Sequence, residues 1–233
     1  MKKALLITGI VILSIALVVG SLVIWQWDNI KSVYLGLTET ALEIETRRAE
    51  NQEALVFELN EYMDTPVREM TPEEKKQVEN GEKTVTEVYS EIFTELEKGT
   101  VENSRGEIPE KLPSGSVSQK DAIIAKYMAQ LYNLQSEYSA RAESTISQGD
   151  RYYESIKSHP QDATARAKTI AHFTPIVRSV EAECDGKVEN VIANLEKELK
   201  TIGANTDIIG TIRTTYAKEK QLKLSYYSNK YLS

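Results

Sequence analysis

The sequence predicts an all-α protein: a single N-terminal transmembrane helix followed by an elongated antiparallel helical bundle of about five helices. Three observations carry this. From Ala4 to Trp25 the chain holds 22 residues without a charge, "ALLITGIVILSIALVVGSLVIW", and about 20 apolar residues span a bilayer. Beyond them, apolar residues recur at three- and four-residue spacing, the period of a helix, and alternating strand-like runs are missing. Glycine (11) and proline (6) are few for 233 residues.

The first element is the membrane segment, residues 4–25, within an anchor domain of residues 1–27. Lys2 and Lys3 precede it, and Trp25 and Trp27 close it at the depth where amphipathic rings settle. A cleaved signal peptide competes with this reading, because Val18–Ser21 offers small residues around Gly20. The apolar run continues through Leu22, Val23 and Ile24, longer than the usual core of a signal peptide, which favours an uncleaved signal anchor. Two lysines before the span and only Lys31 close after it place the N-terminus in the cytoplasm and the bulk outside. The expected location is the cell membrane, single-pass, with an extracytoplasmic bundle domain of residues 28–233.

The first bundle helix should start near Asp28 and continue from the span. Its apolar stripe is Ile30, Val33, Tyr34, Leu37, Ala41 and Ile44, resuming at Leu55, Val56, Leu59, Tyr62 and Met63. It ends before "DTPVREM", where Pro66 forces Thr65 out of helical geometry. The second helix opens at "TPEE": Thr71 caps, Pro72 suits the first position and Glu74 completes a capping box. Its stripe, Val78, Val85, Val88, Tyr89, Ile92 and Leu96, runs unbroken to Gly99. Residues 99–118, with three glycines, two prolines and four serines, read as a flexible loop. Ser118 caps the third helix, whose stripe is Ile124, Met128, Leu131, Gln135, Tyr138, Ala142, Ile146, Gly149, Tyr152 and Ile156. "HPQD" at residues 159–162 ends it and caps the fourth. That helix has the strongest pattern, Ile170, Phe173, Val177, Val180, Cys184, Val188, Val191, Leu195, Leu199 and Ile202, with a kink or restart expected at Thr174–Pro175 and a stop at Gly203. A last helix starts near Asp207 and carries Ile209, Ile212, Tyr216 and Tyr227. Twelve tyrosines against three phenylalanines fit a narrow bundle, where a ring is buried and its hydroxyl stays wet.

Several function classes are excluded. The net charge is −7 with no basic patch, so nucleic acid, which binds through phosphate neutralisation, is not an expected partner. One cysteine, Cys184, forbids an internal disulfide, and its valine neighbours at helical spacing predict a buried, inert thiol. The two histidines, His159 and His172, lack the Glu three residues earlier that a carboxylate-bridged metal bundle uses; Ile156 and Thr169 stand there. Hence neither metal nor cofactor is expected. No nucleophile elbow or phosphate-cradling glycine loop occurs, and paired carboxylates such as Glu73–Glu74 read as a solvated face, so the chain is not expected to be an enzyme.

The candidate site is an interruption. Within "TRRAENQEALVFELNEYM", the stripe positions between Ile44 and Leu55 hold Arg48, Asn51 and Gln52, beside Arg47. Two readings stay open. In one, the helix protrudes there or rotates its stripe, so Arg47, Arg48 and Asn51 are solvated. Alternatively Arg48, Asn51 and Gln52 form an inward polar layer for register or recognition, and a buried guanidinium then needs a carboxylate such as Glu137 or Asp150.

The same stretch carries a resemblance. Arg47-Arg48, six residues, Leu55-Val56, and Tyr62 six positions after Val56, together with Leu134-Gln135 and Arg151-Tyr152 sixteen residues beyond the glutamine, resemble the LemA family of bacterial membrane-anchored helical proteins. The segment "AENQEA" lacks the Asp and Pro-Asn usual there, and the likeness covers residues 4 to about 160. The resemblance implies a long antiparallel bundle on a membrane stalk and no catalytic residues. The resemblance supplies no activity, and two functions are weighed for such a chain: a structural or protein-interaction module at the bacterial cell envelope, or a sensory or regulatory ligand-binding bundle that signals through a partner. A cleft with convergent polar groups would mark the second; an exposed apolar patch on a charged surface would mark the first.

Overall fold

The structure, a computed structural model, describes residues 35, 38–99, 117–159 and 162–232, with the side chains of 228–232 excepted. The expected membrane span and anchor, Pro160, and the expected loop at 99–118 apart from Gly99, Val117 and Ser118 lie outside the described residues. Among the described residues all regular structure is helical: α1 (Ala41–Tyr62), α2 (Pro72–Glu79), α3 (Val85–Glu97), α4 (Gln119–Ile156), α5 (Ala163–Thr201) and α6 (Ile208–Leu232). None of these helices is long and apolar enough to cross a membrane. They fall into two compact units, one of the chain up to Leu55 with Thr211 onward, the other of Val56–Gly210.

The first unit joins the front of α1 to α6. α1 does not run on unbroken from Asp28 as the sequence led us to expect; it restarts at Ala41. The Thr40 amide donates to Glu43 Oε2 at 2.7 Å and the Glu43 amide to Thr40 Oγ1 at 3.2 Å, a capping box. Ile44, Asn51, Gln52 and Leu55 are buried on α1, and Ile212, Glu219, Leu222 and Ser225 on α6.

In the second unit the expected second helix is two helices. α2 ends at Asn80, and Gly81 takes φ +72°, the left-handed conformation that suits glycine at a helix end. Thr84 then starts α3 with a second capping box, through Glu87. Val78 and Val85 share a spacing but not a helix. The end of α1 is held by the start of α4: the fully buried Asp121 carboxylate accepts from the Asp64 and Thr65 amides at 3.0 and 2.7 Å, and Lys120 Nζ donates to the Tyr62 carbonyl at 2.8 Å.

α4 packs against both α3 and α5. Its Tyr132 ring stacks on Tyr89 and Phe93 of α3, each with centroids 5.6 Å apart. Along α5, Tyr127 meets Glu198, Tyr138 meets Glu183, and Gly149 faces Phe173. Partners that descend along α5 as they climb along α4 make the pair antiparallel. The buried side chains are Val88, Ile92, Phe93 and Leu96 on α3, Ile124 and Met128 on α4, and Ile192, Leu195 and Leu199 on α5. Each contributes roughly 1.5–3 kcal/mol by leaving water. The tyrosine hydroxyls of Tyr127 and Tyr138 donate to Glu198 and Glu183 at 2.6 and 2.9 Å, so these rings end on carboxylates and not merely in solvent.

α5 departs from expectation in two respects. Of the kink or restart expected at Pro175, the restart does not occur: the helix is continuous through it. Proline leaves the Ala171 carbonyl without its helical donor, but Ala171 and Pro175 are both exposed, so water reaches that oxygen. Thr174 Oγ1 donates to the Ile170 carbonyl at 2.7 Å on the same turn. The front half of the apolar pattern is also less buried than its periodicity implied: Ile170 is 52% and Val177 48% exposed, and Cys184 is only half-buried. The buried residues of α4 end at Thr145, so beyond it the α4–α5 contact covers only a seam between the two helices.

Candidate interaction sites

Three of the four residues singled out in α1 face inward. Asn51 and Gln52 are buried, and the Arg48 side chain is 15% exposed. Arg47 is not part of this layer: it is half exposed and reaches back to Glu39 at 2.7 Å. The helix forms readily through this stretch because Arg, Ala, Glu and Gln are good helix formers, and its neighbours Ile44 and Leu55 hold the same face against the core.

The partner of Arg48 is Glu219 on α6, not Glu137 or Asp150. Arg48 Nε and Nη2 reach Glu219 Oε1 at 2.8 and 2.7 Å, and Nη1 reaches Glu45 on the previous turn at 2.9 Å. Glu137 instead lies with Arg141 and Lys187 on the α4–α5 pair. Burial pulls the Arg48 guanidinium down, but Glu219 and then Glu45 outweigh it, so its pKa stands above the ordinary arginine value. Asn51 Nδ2 donates to the Thr215 carbonyl of α6 at 3.2 Å, while Gln52 Oε1 is buried without a hydrogen-bond donor. The arrangement can fix the register of α1 on α6, because sliding either helix by one turn would strand a buried charge.

Glu219 was legible in principle. It lies seven residues after Ile212 and three before Leu222, on the apolar face of α6; a charge on one stripe calls for an opposite charge on another. A second paired cation, Arg68, left no periodic signal because it follows α1 in an irregular turn. Its guanidinium takes both oxygens of Glu74 at 2.8 Å and Glu95 Oε2 at 2.9 Å. The Glu74 bonds, with those to Glu95 and against the cost of burial, raise its pKa above the ordinary value. Glu74 thus serves both the α2 capping box and this arginine.

A third cluster lies on the α4–α5 seam. Arg141 Nη1 and Nη2, Tyr138 Oη and Lys187 Nζ converge on Glu183 at 2.9–3.1 Å. The Arg141 bonds, then those of Tyr138 and Lys187, hold the Glu183 carboxyl down at about 2. All of its ionic members are partly solvated, and together they tie α4 to α5 across the seam.

The remaining surface feature is apolar. On the front half of α5, Ile170 and Val177 stand on one flank of the seam, two turns apart, with the half-buried Phe173 between them. Phe173 packs edge-on against Tyr152 and His172, which stack with centroids 5.0 Å apart. A hollow lined by Ala193, Glu196, Lys197, Lys200 and Thr201 is shallow, open and charged. Among the described residues, no group of three or more His, Cys, Asp and Glu side chains is placed to hold a metal ion. Comparison of the chain with family models, with curated proteins and with solved structures returns no match.

Proposed function

We propose that the chain is a membrane-anchored helical-bundle protein, LemA-like in design, that serves as a structural or protein-docking module at the bacterial cell envelope. The observation that carries this reading is the apolar flank of α5, where Ile170, Ile176 and Val177 are exposed within a single stretch of helix; Leu42, Phe57 and Leu224 are exposed singly elsewhere. An apolar patch rimmed by charge marks a protein contact, whereas small-molecule sites are concave and mostly apolar. The hollow on α5 is shallow and open, so it lacks the concavity of such a site. The anchor at residues 4–25 supplies the membrane attachment, and the polar layer of Arg48, Asn51 and Gln52 supplies register within the bundle, not the contact itself. Support for the LemA-like reading is the spacing of Arg47-Arg48, Leu55-Val56 and Tyr62.

The test places a photo-crosslinking residue at Val177 in the full chain, in intact membranes, with Lys168 as an exposed control on the opposite side of α5. A discrete protein adduct at Val177 that is absent at Lys168 is expected. Equal or no adducts at the two positions would sink the docking reading. Protease treatment of intact cells should digest the bundle; protection would reverse the proposed orientation.

A further inference from the structure

The exposed flank of α5 has a charge order that names its occupant. Arg166, Ile170, Phe173, Val177 and Glu181 follow one another at spacings of four, three, four and four residues, so they line one stripe of the helix. Arg166 and Glu181 are exposed at its two ends, the first basic and the second acidic. We infer that the occupant is a second copy of this chain, its α5 pairing with α5 of the first in antiparallel fashion about a two-fold axis between Phe173 and Thr174.

The register follows from the sequence. A two-fold at that point sets Ile170 of one copy opposite Val177 of the other, and the same axis sets Arg166 opposite Glu181. The apolar pair and the ion pair then each occur twice, as a self-complementary interface requires. A parallel pairing would bring Arg166 against Arg166 and Glu181 against Glu181, which repel. Shifting the antiparallel register by a turn breaks the match of apolar and charged pairs together. Thr174, beside the axis and opposite Phe173 of the other copy, donates its hydroxyl to the Ile170 carbonyl, so the centre of the contact carries no unsatisfied hydroxyl. This inference rests on the docking reading and goes further by identifying the partner.

The full chain in detergent micelles, with Cys184→Ser to remove the native thiol, carries the test. Thr174→Cys sits at the axis and should form a disulfide-linked dimer on mild oxidation; Lys168→Cys, on the opposite side of α5, should not. With Thr174→Cys present, Arg166→Glu or Glu181→Arg alone should weaken association about tenfold, since a homodimer carries the pair twice. The double reversal Arg166→Glu/Glu181→Arg should restore it, and circular dichroism should show unchanged helicity in all variants. Equal crosslinking at Thr174 and Lys168, or a double reversal no better than the singles, overturns the self-pairing. A monomeric chain whose Val177 crosslinker still captures a different protein sinks this inference and leaves the docking reading standing. A monomer without any Val177 adduct sinks both.

Discussion

Replacing Arg48 by leucine is the sharpest test of the polar layer. The substitution leaves Glu219, with its side chain 11% exposed, without the guanidinium that approaches to 2.7 Å. Breaking a buried ion pair by removing one partner costs about 3–5 kcal/mol. Arg48 keeps 15% of its side chain exposed, so water enters and relieves part of the cost; a loss of about 2–3 kcal/mol is expected. The Glu45 contact, half exposed, adds less than about 1 kcal/mol. Glu219→Leu should cost less than Arg48→Leu, because Glu45 remains to pair the stranded guanidinium. The double variant Arg48→Leu/Glu219→Leu places two apolar residues between Ile44 and Leu55 and between Ile212 and Leu222. It should return close to the stability of the parent, since apolar replacement of a buried pair is near neutral. Urea unfolding of the full chain in detergent, followed by circular dichroism, closes the double-mutant cycle. A single-variant loss below about 0.5 kcal/mol, or a double variant as unstable as the two single losses combined, would refute the buried-pair account.

Other expectations concern caps, glycines and acid. Thr84→Ala removes the α3 capping box and should cost about 1 kcal/mol, with faster amide exchange in the first turn of α3; unchanged exchange there would contradict the cap. Gly149→Ala should stabilise by about 0.5–1 kcal/mol, because a methyl at that helical position would meet Phe173 at an ordinary 3.8 Å. Gly81→Ala, at φ +72°, should destabilise by about 1 kcal/mol, both glycine variants being read by urea unfolding as for Arg48. Asp162 and Glu183 have carboxyl pKa values lowered to about 2, Asp162 by the Ala165 and Ser158 amides and Glu183 by Arg141 first. Because these folded values lie below the unfolded ones, near 4, the stability they contribute is complete above pH of about 4 and is lost as pH falls through about 2. Carboxyl NMR titrations should show both midpoints well below 4; a midpoint at the ordinary value for either would remove its named bonds from the account.

The helical class and most boundaries were legible because their causes are local. Thr71 with Pro72 and Glu74, Ser118, and Asp162 are start signals written within four residues, and each caps the helix it was expected to cap. The break between α2 and α3 was missed because Val78 and Val85 keep helical spacing across it, although "NGEK" held the glycine that ends α2. The front of α5 misled for the opposite reason. Periodicity reports which residues share a face, not how deeply that face is covered, and beyond Thr145 no residue of α4 is buried. That Arg48 has a partner follows from its place on the stripe; which partner does not, because the choice among distant carboxylates is settled by which helix arrives beside α1.

The distance along the chain between Arg48 and Glu219, 171 residues, has a consequence for synthesis. Another 171 residues must leave the ribosome after Arg48 before Glu219 exists to receive it. Long-range pairings form late, because the entropy of closing so long a loop must be met first. Until then the face of α1 that will be buried is exposed, and an unbroken apolar stripe there would invite aggregation. Arg48, Asn51 and Gln52 keep that face hydrated while it waits. The interruption therefore protects the nascent chain at the time when the bundle cannot.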